Sequence, residues 1–432
     1  MRNQSIRAPD AGSPSNGFQQ REMVISERLE YDLLGERALP NHLLYGIHTL
    51  RALEHTPLAG TGIPLSKFPT LVEALVHIKQ AAALANNELD LLSNSKTEAI
   101  VSACLRVVRG EAREHFAVDV IQGDAVAATN MNTNEVIANL GLGYLGHQRG
   151  QYEFLQPQHE VNLSHDAHAV YPTAMRIACY HDSLELIGVM GVLRAAFEAK
   201  ADEFGDRPKI GETCLRDARP LTLEQEFRTY AAMLTEVQEH LRVSLNQLCQ
   251  INLGCTNKDN GASPAPQYAA VVCRYLAQIT GVPLQTSGAL IEANQDVGAF
   301  VQVSGMLKLA AVKLSKVCND LHLLSSDPPD GFGEINLPQV QADSSFMPGR
   351  VNSGILEMVR QIAFEVVGHN LTITFAAAAD PAQLNAFEPI IAYALLKSIQ
   401  QLRDACRMLA SRCVNGITIG HECLDHEVEN SA

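Results

Sequence analysis

Apolar residues recur three and four apart over five long stretches in the second half of the chain: Leu184–Phe204, Leu221–Ile251, Gln295–Leu324, Ile355–His369 and Pro389–Ala410. In the second of these, Phe227, Tyr230, Leu234, Val237, Leu241, Leu245 and Leu248 trace one stripe. That spacing belongs to a helix burying one face. Five such helices in series predict a mainly α, up-and-down bundle. Between them, Gly and Pro gather at Asn257–Pro266 and Asp327–Pro338, where loops are expected. From Ile25 to about Asn162 the segments are short and mixed, with helical stretches near Leu71–Leu92 and Ser95–Arg109. The first 24 residues are polar and rich in Ser, Pro and Gly, and read as a disordered tail.

Some stripes are too wide for a lone bundle. The segment Phe300–Leu324 carries Val301, Val303, Met306, Leu307 and Leu309 on more than one face. Surplus apolar surface of that kind packs against another subunit. The competing expectation is a monomeric bundle with no chemistry in it.

Composition narrows the class. A hydrophobic content of 46% with mean hydropathy near zero is that of a globular protein. A net charge of −15 argues against nucleic acid or an anionic membrane as partner. The sequence contains no signal-peptide pattern and no apolar run long enough to span a bilayer. Ten cysteines are scattered from Cys104 to Cys423 without a C-x-x-C pair, which suggests free thiols in a cytoplasmic protein.

The chemistry-bearing stretch is Asp343-Ser344-Ser345-Phe346-Met347-Pro348-Gly349-Arg350-Val351-Asn352, with Glu357 following in a helical run. It resembles the serine-rich signature loop of the aspartase/fumarase superfamily, Gly-Ser-Ser-x-Met-Pro-x-Lys-x-Asn. Two further stretches carry the resemblance, Tyr45 to Ala52 and Asn130 to Glu135, and so does Asn319-Asp320-Leu321 leading to Glu334–Pro338. The likeness runs from about Glu30 to about Asn430 and is strongest to the aspartate ammonia-lyase branch. It implies an N-terminal mixed domain over 25–162, a central helical bundle over 163–413 and, over 414–432, a remnant of the family's C-terminal domain. It also implies a homotetramer built on the central bundles, with each site gathered from three subunits and no cofactor.

That family eliminates an amine or water by taking a proton next to a carboxylate. The resulting dianionic centre needs several converging donors and a cation. By resemblance Ser344 is the general base, placed when its loop closes. Arg350 stands where the family has a carboxylate-binding Lys, and its planar fork would hold the anion in another pose. Arg51, Thr129, Asn132, Thr213 and Asn352 match substrate-binding positions, and Glu357 a structural partner near the site. Other anchors differ. Ala127 and Ala128 replace Thr-Ser, and Asp166-Ala167-His168-Ala169, after His165, replaces Ser-Thr-Asn-Asp. Glu212 replaces an Arg, and Cys214 replaces a Gln or His.

One donor lost to a developing oxyanion costs roughly 3–4 kcal/mol, so three independent losses cost about 10. The expected function is therefore a diverged lyase acting on a small carboxylate, inefficient on aspartate or malate. His168 or His165 would serve as acid or substrate contact. The alternative for the histidines is that they fill core space; for Cys214, that it is a small buried hydrophobe. No third ligand accompanies the two histidines, so no metal site is expected. Two other readings stand beside this one. One is a non-catalytic homologue that keeps the scaffold. The other is a new reaction in the old cleft, a cyclisation or dehydration using His165, His168 and Cys214.

Overall fold

The computed structural model describes residues 26–55, 62–123, 126–213, 216–254, 267–288, 295–326, 331–338, 354–379 and 385–420, apart from the side chains of 210–219. The predicted N-terminal tail and the signature loop lie outside the described residues.

Five helices form a closed ring: α5 (Ala167–Phe204), α6 (Leu223–Leu245), α8 (Gly298–Leu324), α9 (Gly354–Ala378) and α10 (Glu388–Arg412). Each packs on the next, and α10 returns to α5. Their inward stripes make one core, in which Phe197, Phe204, Phe227 and Tyr230 meet edge to face. A capping box starts α6: Thr222 Oγ1 accepts from the Gln225 amide, and Gln225 answers to the Thr222 amide.

Two of the expected helices run further than the periodicity indicated. Helix α5 starts at Ala167, well before Leu184. Its first turns are buried on all sides from Ala169 to Cys179, so no apolar–polar alternation marks them. Helix α9 continues past His369 through Thr372, Ile373 and Thr374. These β-branched residues are weak helix formers, and packing on α8 and α10 overrides the preference. Conversely α6 stops at Leu245, and Gln250–Ile251 forms β5, which pairs in parallel with β6 (Gln285–Thr286).

The N-terminal part is a hairpin, β1 (Glu27–Asp32) with β2 (Gly35–Pro40), followed by α1 (Ile47–His55), α2 (Pro69–Glu88), α3 (Asn94–Val108) and α4 (Ala127–Tyr144). Two buried carboxylates fasten the start of α1. Glu135 of α4 accepts from the amides of Gly46, His48 and Thr49 and from the Thr49 hydroxyl at 2.6–3.1 Å. Glu30 accepts from the Ile47 amide at 2.8 Å and pairs with Arg28. Amides at a helix start lack intrahelical partners and favour negative charge, which explains why buried acids are tolerated here. Gly46 sits where a Cβ would lie 2.5 Å from the Tyr152 hydroxyl and 2.6 Å from Glu30 Oε2. The Tyr45–Ala52 and Asn130–Glu135 stretches are thus two halves of one joint.

Helix α7 (Tyr268–Thr280) lies on α2. At one end of the bundle, Ile335–Asn336 (β7) pairs with Thr418–Ile419 (β8), and Lys200 of α5 donates to the Ile417 carbonyl at 2.8 Å. The hairpin β3 (Pro208–Thr213) with β4 (Arg216–Thr222) joins α5 to α6. The seven described cysteines are free and buried. Among the described residues no helix is long and apolar enough to cross a membrane.

The Gly46 joint gives a first prediction. Gly46→Ala should destabilise the protein by about 2–3 kcal/mol, an overpacking cost inside a buried polar cluster. Urea unfolding measures it, and an unchanged midpoint would contradict the role given to Gly46.

Candidate functional site

Two segments approach each other where the predicted site residues are densest: the first turn of α4 and the turn 162–166 that enters α5. Val126, which precedes α4, has φ of 65°, a left-handed conformation costly for a β-branched residue. Ala127 and Ala128 follow it, and Ala128 lines a groove of about 160 Å³ together with Ala52, Leu53, Pro64, Asp119 and Gln122. Among the described residues the ionisable side chain in that lining is Asp119. A larger cleft of about 410 Å³, beside Arg106, His147 and Arg149, contains none of the residues predicted from sequence.

The turn into α5 is held by asparagines. Asn162 Oδ1 accepts from Lys79 Nζ at 2.7 Å, Asn130 Nδ2 at 3.1 Å and Asn134 Nδ2 at 3.2 Å. Its Nδ2 donates to the His165 carbonyl at 3.0 Å. Asn86 donates to the Leu163 carbonyl at 3.0 Å and accepts from the Ser164 hydroxyl at 2.7 Å. Ser164 itself has φ of 66°, so the turn needs this support. Pro172 inside α5 has no amide hydrogen, which strips the His168 carbonyl of its helical donor. Asn252 Nδ2 serves that carbonyl instead, at 3.3 Å, while its Oδ1 accepts from Thr173 at 3.2 Å.

Asp166 caps α5, accepting from the Ala169 amide at 3.0 Å. The acid in the altered segment Asp166–Ala169 thus has a helix start to satisfy.

The two histidines do not share an environment. His168 is half-buried in the first turn of α5, whereas His165 points inward at 6% exposure. The His165 ring nitrogens face Lys79 Nζ at 2.9 Å and the Tyr268 hydroxyl at 3.3 Å. Burial holds its pKa well below the ordinary histidine value, and Lys79 pushes the same way. The core-filling expectation therefore describes His165, while His168 keeps part of its surface in solvent.

The other predicted residues are spread out. Arg51 sits on α1 and makes a bidentate pair with Asp32 of β1, at 2.5 and 2.8 Å, plus a bond to the Gly35 carbonyl. This partnership lowers the Asp32 pKa. Thr129 is fully buried, its amide donating to Gln122 at 2.9 Å and its hydroxyl bonded to the same side chain. Asn132 is fully buried too, accepting from the Ala117 amide at 3.1 Å and donating to the His115 carbonyl at 2.9 Å. In this chain the Arg51, Thr129 and Asn132 side chains each have partners within the chain. Thr213 ends β3, and Glu357 lies in the first turn of α9. Ser344, Arg350, Asn352 and Cys214 lie outside the described residues.

Lys79 was missed by sequence reasoning. Its sign was weak: Val76, Ile78, Ala81, Ala82 and Ala83 surround it, but His77 and Gln80 stand beside it and let it read as part of a polar face. Among the described residues no cluster of three or more His, Cys, Asp or Glu is placed to hold a metal.

The model of the Lyase family matches residues 35–368. The chain belongs to this lyase family. It is 44% identical to an aspartate ammonia-lyase of Escherichia coli over 405 residues, covering 94% of this chain and 84% of that protein. It is 47% identical to an aspartate ammonia-lyase of Pseudomonas aeruginosa over 410 residues, covering 94% and 86%. A solved structure described as fumarate lyase:delta crystallin from Brucella melitensis superposes with a TM-score of 0.88 at 45% identity, over 94% of this chain and 92% of that one. A class II fumarase from Schistosoma mansoni reaches a TM-score of 0.88 at 27% identity, over 94% and 88%. The lyase therefore has the aspartase/fumarase fold and belongs to that superfamily of enzymes.

The cap on α5 gives the second prediction. Asp166→Ala should cost about 1 kcal/mol, and Asp166→Asn only a few tenths, because the amide oxygen still accepts. Thermal unfolding followed by circular dichroism measures both. Equal losses for the two variants would mean that the acid matters for its charge and not as a cap.

Proposed function

We propose that this lyase breaks a C–N bond β to a carboxylate, on a substrate other than aspartate, and that malate is also poorly used. What carries the reading is the pairing of 44–47% identity to aspartate ammonia-lyases with alanine at 127 and at 128, the second of which lines the groove. The relatives support the reaction class. The alanines, each without a hydrogen-bond donor on its side chain, support the change of substrate.

In the proposed step Ser344 takes the proton from the carbon next to the carboxylate. The C–H electron pair forms the C=C bond, and the C–N pair leaves with the amine. His168 gives the departing nitrogen its proton. Arg350 holds the carboxylate, with Asn352 beside it, since Arg51 is committed to Asp32 within its own chain. Thr213 and Cys214 are the further substrate contacts in this reading. Asp119 in the groove lining disfavours a second carboxylate on the substrate there, which argues against a dicarboxylate such as aspartate.

These residues belong to separate segments of one chain, and a homotetramer would bring them together. The support is an outer stripe on α9, where Phe364, Val367, Leu371 and Phe375 are exposed. Apolar side chains gathered on one helix face in this way are of the kind that copies of a chain bury.

The test is ultraviolet absorbance of the product C=C bond with aspartate, and with fumarate plus ammonia in reverse. Wild type should turn over either slowly. Ala127→Thr with Ala128→Ser should raise kcat/KM on aspartate by about a hundredfold or more per restored donor. Ser344→Ala should lower turnover of any substrate by roughly 10²–10⁴-fold. Efficient aspartate turnover by wild type, or no gain from the double variant, would overturn the change of substrate.

A further inference from the structure

Lys79 has no role in the proposed chemistry, yet it sits fully buried at the joint between α2, α4, α7 and the turn 162–166. Its Nζ reaches Asn130 Oδ1 and Asn162 Oδ1 at 2.7 Å and His165 Nε2 at 2.9 Å. Three neighbours suit two different proton arrangements. An ammonium would donate to all three, forcing the imidazole hydrogen onto Nδ1 and leaving the Tyr268 hydroxyl to accept there. An amine would donate to the two carboxamide oxygens and accept from His165 Nε2–H. The bare Nδ1 would then accept from the Tyr268 hydroxyl at 3.3 Å.

The second arrangement satisfies every group, including the Tyr268 hydrogen, and buries no charge. Among the described residues no carboxylate lies within ion-pair distance of Lys79. An ammonium so placed would lose its water with no carboxylate in contact to replace it. Cys104 and then Asp166 favour the charged lysine, and the Leu163 carbonyl favours a charged imidazole. None of these makes up for complete burial, which holds the lysine well below its ordinary pKa.

We propose that Lys79 is an uncharged amine at neutral pH, and that by accepting from His165 it is the positioning residue of the turn that delivers His168 and the start of α5 to the site. Why that turn matters rests on the lyase reading above; the amine and its grip on the turn do not. His165 then has both nitrogens engaged in a neutral chain from Tyr268 to Asn162, leaving it no part in proton transfer.

The proton count is open to measurement on the full chain. In the unfolded state Lys79 takes up a proton below its ordinary pKa of about 10.4, and in the fold it has none. The folded state thus binds fewer protons, so wild type gains stability relative to Lys79→Met as pH rises from 7 towards 10. The gain is up to tenfold in the folding equilibrium per pH unit. His165 is neutral throughout that window, and Cys104, Tyr268 and Asp166, which face the same joint, are common to both proteins and cancel. Thermal unfolding by circular dichroism reads the difference; a gap flat across that range means a charged Lys79 and overturns the proposal.

Hydrogen–deuterium exchange reads the positioning. Peptides covering 160–172 should exchange at least tenfold faster in Lys79→Met, with α8 and α9 unchanged. Lys79→Arg, whose guanidinium keeps its proton, should not restore protection. Restoration by Arg, or unchanged exchange in Lys79→Met, would refute the role. Lys79→Gln, which keeps a donor and an acceptor, replaces the Met variant if that fails to fold. Neither measurement depends on finding a substrate, so failure here is distinct from failure of the lyase reading.

Discussion

Helix α9 has two apolar faces and one chain to pack against. Leu356, Val359, Ala363, Val366, Ile373 and Ala376 are buried within the ring of helices, while Phe364, Leu371 and Phe375 stand 60%, 55% and 67% exposed on the other side. Leaving three such side chains in water forfeits about 1.5–3 kcal/mol each relative to full burial. In an acidic, otherwise ordinary globular protein this is the constraint on which everything else hangs. We propose that other copies of the chain cover that face, and that the same association brings distant segments into one site.

Within a chain, the site's precision comes from amide chemistry. The Asn162 carboxamide oxygen takes three donors from α2 and α4, and its nitrogen holds the turn that starts α5. Pro172 then opens a gap in the helical bonding that Asn252 closes. A turn with a left-handed serine and a proline five residues into its helix would not stand alone; it stands because buried carboxamides hold its carbonyls. This rigidity is what a base on a closing loop would need opposite it, since a transition state is stabilised only by groups already in place.

Much of this was legible in the sequence, for identifiable reasons. The bundle helices showed wherever one face met core and the other water, as along Phe227 to Leu245. They were hidden where burial was complete, as from Ala169 to Cys179, or where β-branched residues broke the propensity signal, as in Thr372–Thr374. The family motifs located the joint of α1 with α4, but not its physics: Glu135 and Gly46 form that joint because a helix start and a missing Cβ coincide. Pattern alone could not separate His165 from His168, since orientation differs between residues three apart only once the turn and its cap are known. Lys79 was overlooked because a lone lysine reads as surface unless every neighbour on its helix is apolar.

The most direct measurement is sedimentation equilibrium of the full chain at micromolar concentration. The account predicts a particle of four chains, each of 46.9 kDa, and its dissociation in a Phe364→Glu, Phe375→Glu variant. A wild type sedimenting as a single chain, with that face of α9 in water, would contradict it.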